Sequence, residues 1–417
     1  MRGDQPNRNA TGTEPGHDVS RTALPRTEAR GALGRLRAAA VFAAVAAAIA
    51  CSPGASSVAP AAGDDAGERL IDDAGDAGVL EDAAGESPND DASACPSMPN
   101  PRPFVRGVKV YARDGALRVN HLQAKASHNS YHRLPATSIS EWNYEHVPLD
   151  EQLERQGVRG FELDLQWDEP CERFRVFHLA LVDARTTCAF FTDCLLKLRG
   201  WSEAHPGHHP IFVHLEPKNG FGSVTLETRL QALEREILSV FDKRWILTPD
   251  DVKGASSTLA EALTTRGWPT LGEARGRFLF YFDNDGPVRD AYTHGRTDLS
   301  GRLVFADGRT GEPFVGVRVL NDPQAQTTEI AGALAQNIVV RTRADSNPAD
   351  ARAGLTAQRD AAFASGAQLV STDFPAPVEG VPYAVAVPGG TPSRCNPVAA
   401  PAACTSTDIE DPEKLGR

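Results

Sequence analysis

The chain has 417 residues, 41% of them hydrophobic and 24% charged, with a formal net charge of -12. That length suits one large α/β domain or two ordinary ones with extra ends. Its 36 glycines and 30 prolines follow no period, which excludes a collagen-like or solenoid chain. An acidic balance argues against a basic nucleic-acid footprint, so no nucleic-acid partner is expected. The charge is unevenly placed, however. Residues 1–50 carry 7 Arg against 4 acids, whereas residues 51–94 carry 11 acids against Arg69 alone. The rest of the chain is only mildly acidic.

Ala38 to Ala50 is a run of 13 apolar residues preceded by Arg35 and Arg37. A bilayer span takes roughly 20 residues, so the pattern predicts an export signal over residues 1–50 rather than a membrane helix. Ala48-Ile49-Ala50-Cys51 resembles a bacterial lipoprotein box. The protein is therefore expected to be exported, either secreted or anchored through a lipid on Cys51. Residues 51–103 are rich in Ala, Gly, Asp and Ser and poor in large apolar side chains. Such a segment buries too little surface to offset its ordering entropy and reads as a disordered acidic tether. If Cys51 is lipidated, six of the seven cysteines remain, a number suited to disulfides in an oxidising compartment. Short separations suggest Cys188–Cys194 and Cys395–Cys404, which leaves Cys95–Cys171. A zinc site is the rival reading, but the chain has no Cys-x-x-Cys pair.

From 104 to 388, short apolar runs alternate with helical patterns. The expected strands are Leu122–Ser127, Val158–Leu165, Phe174–Phe177, Ile211–Leu215, Arg277–Phe282, Leu303–Phe305, Asn337–Val340 and Gln368–Ser371. Leu149 and Leu153 mark a helix stopped by Gly157. Leu226, Leu230, Leu233, Ile237 and Phe241 form one apolar stripe at helical spacing. This rhythm predicts an α/β fold, a single (β/α)8 TIM barrel, with residues 389–417 as a C-terminal tail. A doubly wound open sheet fits less well, because the first strand lacks a glycine-rich phosphate turn.

Barrel enzymes carry their chemistry at the C-terminal ends of strands. The first expected strand runs into His128-Asn129-Ser130, and the third into His178. The second contains Glu162-Leu163-Asp164, and the fourth ends His214-Leu215-Glu216-Pro217-Lys218. Glu162 and Asp164 alternate with apolar neighbours and face one side. Buried like charges need a cation or a shared proton. With Glu216 and the Asn129 amide oxygen they form an all-oxygen set suited to Ca2+ or, alternatively, Mg2+. His128 and His178 flank that set as a charge stabiliser and a general acid for phosphoryl transfer. Lys218 is a candidate phosphate clamp, although a solvated loop lysine is nearly as common. His214 reads as structural.

In order and spacing, His128-Asn129-Ser130, Glu162-Leu163-Asp164, His178 and Glu216-Pro217-Lys218 resemble the catalytic half-barrel of the phosphoinositide-specific phospholipases C, most closely the bacterial calcium-dependent members. Val147-Pro148-Leu149-Asp150, Arg341-Thr342-Arg343-Ala344-Asp345 and Ser371-Thr372-Asp373-Phe374-Pro375 extend the resemblance over roughly residues 115 to 385. It implies calcium ligands at Asn129, Glu162, Asp164 and Glu216, catalytic histidines at His128 and His178, and a phospholipid substrate met at a membrane surface. The implied reaction is attack of the inositol 2-hydroxyl on the adjacent phosphodiester, releasing diacylglycerol and a cyclic inositol phosphate. Glu162 or Glu216 would take the hydroxyl proton. Arg341 and Arg343 are candidates for phosphate contact, against a plain ion-pair role, and a monomer is expected. The nearest rival is a glycerophosphodiester phosphodiesterase, whose first His is usually followed by Arg; here Asn129 follows His128. A lipoprotein that binds inositol phosphates or lipid without turnover would not need both histidines.

Overall fold

The structure is a computed structural model that describes residues 95–107, 109–135, 139–218 and 225–416. The apolar run before Cys51, Cys51 itself and most of the expected tether lie outside them. Among the described residues the strands are β1 (Leu122–Ser127), β2 (Gly160–Asp168), β3 (Arg173–Val176), β4 (Ile211–Pro217), β5 (Phe278–Phe282), β6 (Phe305–Ala306), β7 (Val317–Val319), β8 (Val339–Arg343), β9 (Leu369–Thr372) and β10 (Arg394–Cys395). Eight of them run parallel in the order β6-β5-β4-β2-β1-β9-β8-β7, a nearly closed barrel with helices outside. The seam lies between the short strands β6 and β7. It is crossed by a side chain, where Val319 N donates to Asp307 Oδ1 at 3.1 Å.

The (β/α)8 expectation holds, but the strand membership differs at two places. The segment expected as the third barrel strand is β3, which pairs antiparallel with β2 and stands outside the barrel. Only residues 169–172 separate the two, whereas a parallel return needs a crossover of about a dozen residues. Its place is taken by β7, a three-residue strand too short to show a period. β5 reads Phe-Leu-Phe-Tyr-Phe and is buried throughout, as a parallel strand covered on both faces should be.

The helices follow their sequence signals. In α1 (Leu149–Gln156) the chain turns out at Gly157, whose φ of 66° is left-handed and costs a glycine little. α2 (Phe191–Ala204) begins beside the Cys188–Cys194 disulfide. α3 (Leu226–Val240) is capped by Thr225, whose side chain accepts from Thr228 N, and buries Leu230, Leu233 and Ile237. The other two disulfides are Cys95–Cys171 and Cys395–Cys404, so all three follow the expected pairing.

The segment expected as a tail packs on the barrel. β10 pairs antiparallel with β1, and Glu410 is fully buried beneath the N-terminal ends of the strands. There Arg159 Nε donates to both Glu410 oxygens, at 2.9 and 3.1 Å, and His209 N donates to Oε2 at 3.3 Å. Burial opposes the Glu410 charge, but Arg159 outweighs it and holds the carboxyl down at about 2. His208 and His209 complete the cluster, bonded to Ser202 and Ser393 at 2.6 and 2.7 Å.

Burial pushes His208 down to about 3 and His209 down to about 4, so both are neutral in the folded protein. Unfolded, they would ionise near 6.5. Their contribution to stability is therefore complete above pH 6.5 and is lost as pH falls toward their folded values. Between pH 7 and 4.5 the wild type should lose about 2 kcal/mol more unfolding free energy than His208→Gln. Urea unfolding at the two pH values measures this, and equal losses would contradict it.

Candidate active site

At the opposite end of the barrel, β2 and β4 lie side by side in a register that makes Glu162 the neighbour of His214 and Asp164 the neighbour of Glu216. All four fall on the inward face, because side chains alternate along a strand. Ligand-type oxygens of Glu162, Asp164 and Glu216 come within 4.8 Å of one another. Glu162 and Asp164 are buried, and Glu216 stands at the mouth with 31% of its side chain exposed.

Asn129 reaches the same strand ends from the turn after β1. Its φ of 42° is left-handed, a conformation that Asn tolerates better than most residues. The turn is stitched to β2 by Ser130, whose N donates to Glu162 O at 2.9 Å and whose Oγ accepts from Glu162 N at 2.8 Å. The Asn129 Nδ2 donates to Tyr144 Oη at 3.2 Å, which assigns Oδ1 as the acceptor of that amide.

Three cations answer the carboxylates. Arg341 is buried and donates to Glu162, to Asn321 and, at 3.0 Å, to Ser371 Oγ. Burial opposes the Glu162 charge, but Arg341 and then His128 outweigh it and hold the carboxyl well below its usual range. Lys218 Nζ sits 3.0 Å from Asp164 Oδ2 and 2.5 Å from Glu216 Oε1. His214 stacks on Tyr281 at 4.9 Å, with Nε2 3.2 Å from Asp283 Oδ1 and Nδ1 3.7 Å from Glu162 Oε2. Burial disfavours its charge, yet Asp283 and Glu162 together push its pKa up to about 10. His214, which the sequence reading set aside, thus lies inside the cluster between two carboxylates that favour its charged form. Arg341 and Lys218, expected at phosphate, lie against the carboxylates.

Asp164 is the least satisfied member. It is fully buried, neither oxygen receives a well-aligned hydrogen bond, and its nearest partner is the Lys218 ammonium, 3.0 Å from Oδ2. Burial, with Glu216 and Glu162 beside it, pushes its pKa well up. A buried carboxylate short of aligned donors, beside two more carboxylates and an amide oxygen, fits a hard divalent cation.

Both expected catalytic histidines are held by carboxylates. His128 Nδ1 lies 2.6 Å from Asp373 Oδ1, and its Nε2 faces Arg343 Nη1 at 3.0 Å and Glu162 Oε1 at 3.8 Å. Arg343 also donates to Asp373 Oδ2 at 3.1 Å. Burial opposes ionisation of Asp373, but Arg343 and His128 keep its pKa low. His178 follows β3, whose Val176 is the neighbour of Leu165 on β2, next to Asp164. Its Nδ1 lies 2.9 Å from Asp183 Oδ2, and the Trp142 ring meets it edge-on at 5.1 Å.

The sequence reading assigned no role to Asp373, Asp283 or Asp183. The first two sit one residue beyond β9 and β5, so the strand-end rule that found Glu216 could have found them. Asp183 lies in a loop with no periodic signal.

A family described as phosphoinositide phospholipase C, Ca2+-dependent, matches residues 169–397, more than half of the chain. The chain belongs to that family. It is accordingly a phosphodiesterase of the phosphoinositide phospholipase C family. No curated protein matches it in sequence. A calcium-dependent phosphoinositol-specific phospholipase C from a Gram-negative bacterium, Pseudomonas sp, shares the fold at 19% identity and a TM-score of 0.51, covering 69% of this chain and 98% of its own. The structure of that enzyme described as a myoinositol complex aligns at 18% identity and a TM-score of 0.50, covering 68% and 96%.

If the phospholipase-family triad holds the cation, Asp164→Asn should abolish a calcium-induced rise in melting temperature that the wild type shows. Without calcium the variant should be as stable as the wild type or more so, since an uncompensated buried charge is removed. Differential scanning calorimetry with and without calcium decides it, and an equal calcium shift in both proteins would refute the assignment.

Proposed function

We propose that the protein cleaves phosphatidylinositol into diacylglycerol and an inositol phosphate, with the inositol 2-hydroxyl attacking the adjacent phosphodiester and a cyclic phosphate formed first. The observation that carries this reading is the pair of imidazole–carboxylate couples, His128–Asp373 and His178–Asp183, beside the Glu162–Asp164–Glu216 cluster. Attack by a hydroxyl of the same molecule removes much of the entropic barrier.

His178 points Nδ1 at Asp183, which leaves Nε2 to carry the proton to the departing glycerol oxygen. Asp183 stabilises the imidazolium before that transfer. His128 is fixed by Asp373, and its Nε2 accepts from Arg343, so the pair holds the Arg343 guanidinium where it can donate to a phosphoryl oxygen. Glu162 is enclosed and bound to buried Arg341, so we assign removal of the hydroxyl proton to Glu216, the most exposed of the three acids, whose partner Lys218 is itself partly exposed. Calcium held by Asn129, Glu162, Asp164 and Glu216 would supply charge neutralisation at the phosphate and acidify the attacking hydroxyl. Unphosphorylated phosphatidylinositol at a membrane surface is the proposed substrate. A single chain carries every residue named, which favours a monomer.

Three disulfides suit an oxidising compartment and support export. No described helix is long and apolar enough to cross a membrane, and the proposed lipid attachment at Cys51 would supply the anchor.

Phosphatidylinositol vesicles should be hydrolysed with calcium present and left intact in EDTA, with magnesium as the comparison ion. His178→Ala should lower turnover by roughly 10²–10⁴-fold, the usual worth of a positioned general acid. Hydrolysis of glycerophosphodiesters but not of phosphatidylinositol would overturn the reading.

A further inference from the structure

One buried titratable side chain next to the site has no part in the steps above. His132 is 1% exposed, and its Nε2 lies 2.9 and 3.0 Å from the two oxygens of Asp183. Asp183 thus receives two imidazoles, since His178 Nδ1 reaches Oδ2 at 2.9 Å. An ionised carboxylate only accepts hydrogen bonds, so both rings must donate to it. Burial opposes the Asp183 charge, but the bonds from His132 and His178 outweigh it and keep its pKa low. His132 therefore carries its proton on Nε2. Its Nδ1 is buried without a hydrogen-bond partner, which a bare lone pair tolerates better than an unpaired N–H would.

His132 is itself held fast. Its backbone N donates to Asn129 O at 2.8 Å, and its ring packs on Tyr144 at 4.6 Å. Asp183 closes a small hairpin in which Leu179 N donates to Asp183 O at 3.0 Å and Asp183 N donates to Leu179 O at 2.9 Å. The carboxylate is thus clamped on both oxygens by a ring that has no freedom of its own. An aspartate bonded to His178 alone could turn about its side-chain torsions, and its whole charge would hold the imidazolium proton in place.

We propose that His132 is a positioning residue that acts through Asp183: it fixes the carboxylate so that His178 keeps Nε2 on the leaving oxygen, and it takes a share of the charge so that His178 gives up its proton. This rests on His178 being the proton donor.

Leaving-group dependence tests it, because a proton donor matters for an alkoxide and hardly at all for a nitrophenolate. His132→Phe removes the donor and keeps a ring against Tyr144; His132→Gln returns an N–H near the Nε2 position. Turnover of phosphatidylinositol should fall about 10–100-fold in the Phe variant, as when a supporting hydrogen bond behind a reacting group is lost. Turnover of a nitrophenyl inositol phosphate should stay within about threefold, because its transition state does not need the proton. The Gln variant should recover most of the lipid activity. Equal losses on both substrates, or no loss on either, would overturn the proposal. Should the Phe variant not fold, nitrogen NMR of the wild type decides instead: the Nε2–H tautomer of His132 supports the clamp, and Nδ1–H overturns it. A wild type inert toward both substrates with calcium present strikes the functional reading, while the tautomer still decides the clamp.

Discussion

Three carboxylates gathered at the mouth of one barrel are the constraint to which the rest of the site responds. Glu162 and Asp164 stand two residues apart on β2, and Glu216 is the register partner of Asp164 on β4. Like charges this close, two of them buried, repel one another and lose hydration together. The fold answers from three directions. Arg341 comes from β8 across the barrel to Glu162, Lys218 leans back from the end of β4 onto Asp164 and Glu216, and His214 lies between Glu162 and Asp283. The basic residues of the site are thus matched to its acids before any anionic substrate arrives. Arg343 serves a different pair, donating to Asp373 and meeting the His128 imidazole as well.

The two histidine–carboxylate couples use the same chemistry but have different structural origins. Ser127 on β1 and Thr372 on β9 are register partners, so the next residue on each strand, His128 and Asp373, emerges alongside the other. Pairing of the first and last barrel strands therefore builds that couple, and it cannot exist until residues far apart in the chain have met. His178 and Asp183 are five residues apart in one hairpin, so their couple is local. In both, Nδ1 faces the carboxylate; the Nε2 of His128 meets Arg343. One couple is tied to global closure and the other to a loop.

What could be read in advance follows from the same distinction. Glu162, Asp164 and Glu216 were legible because strand alternation fixes the face of each side chain without knowledge of the partner strands. The disulfides were legible because two of the three loops are short. β3 and β7 were exchanged because an apolar run says nothing of strand direction, and three residues carry no period. The partners of the acids were not legible, since Arg341 and Glu162 are neighbours only through the curvature of the sheet. Asp183 and His132 were missed for the opposite reason: hydrogen bonds between loop residues leave no repeating trace in sequence.

The two ends of the barrel show how a buried charge serves stability in one place and function in another. At the N-terminal end, Glu410 is fully enclosed, and Arg159 meets both of its oxygens while His209 N donates to one. That carboxylate is saturated, its charge is secured, and the C-terminal segment is tied to the barrel. At the C-terminal end, Asp164 is enclosed just as completely, yet its oxygens receive no well-aligned hydrogen bond and face only the Lys218 ammonium, shared with Glu216. Side-chain packing alone would not retain such a group, because an apolar residue of similar volume would be less costly to bury. Its place is explained if the missing interactions come from a cation that the folded chain recruits. The difference between a saturated and an unsaturated buried acid, more than the presence of acids as such, separates the end of the barrel that holds the protein together from the end that carries the candidate site.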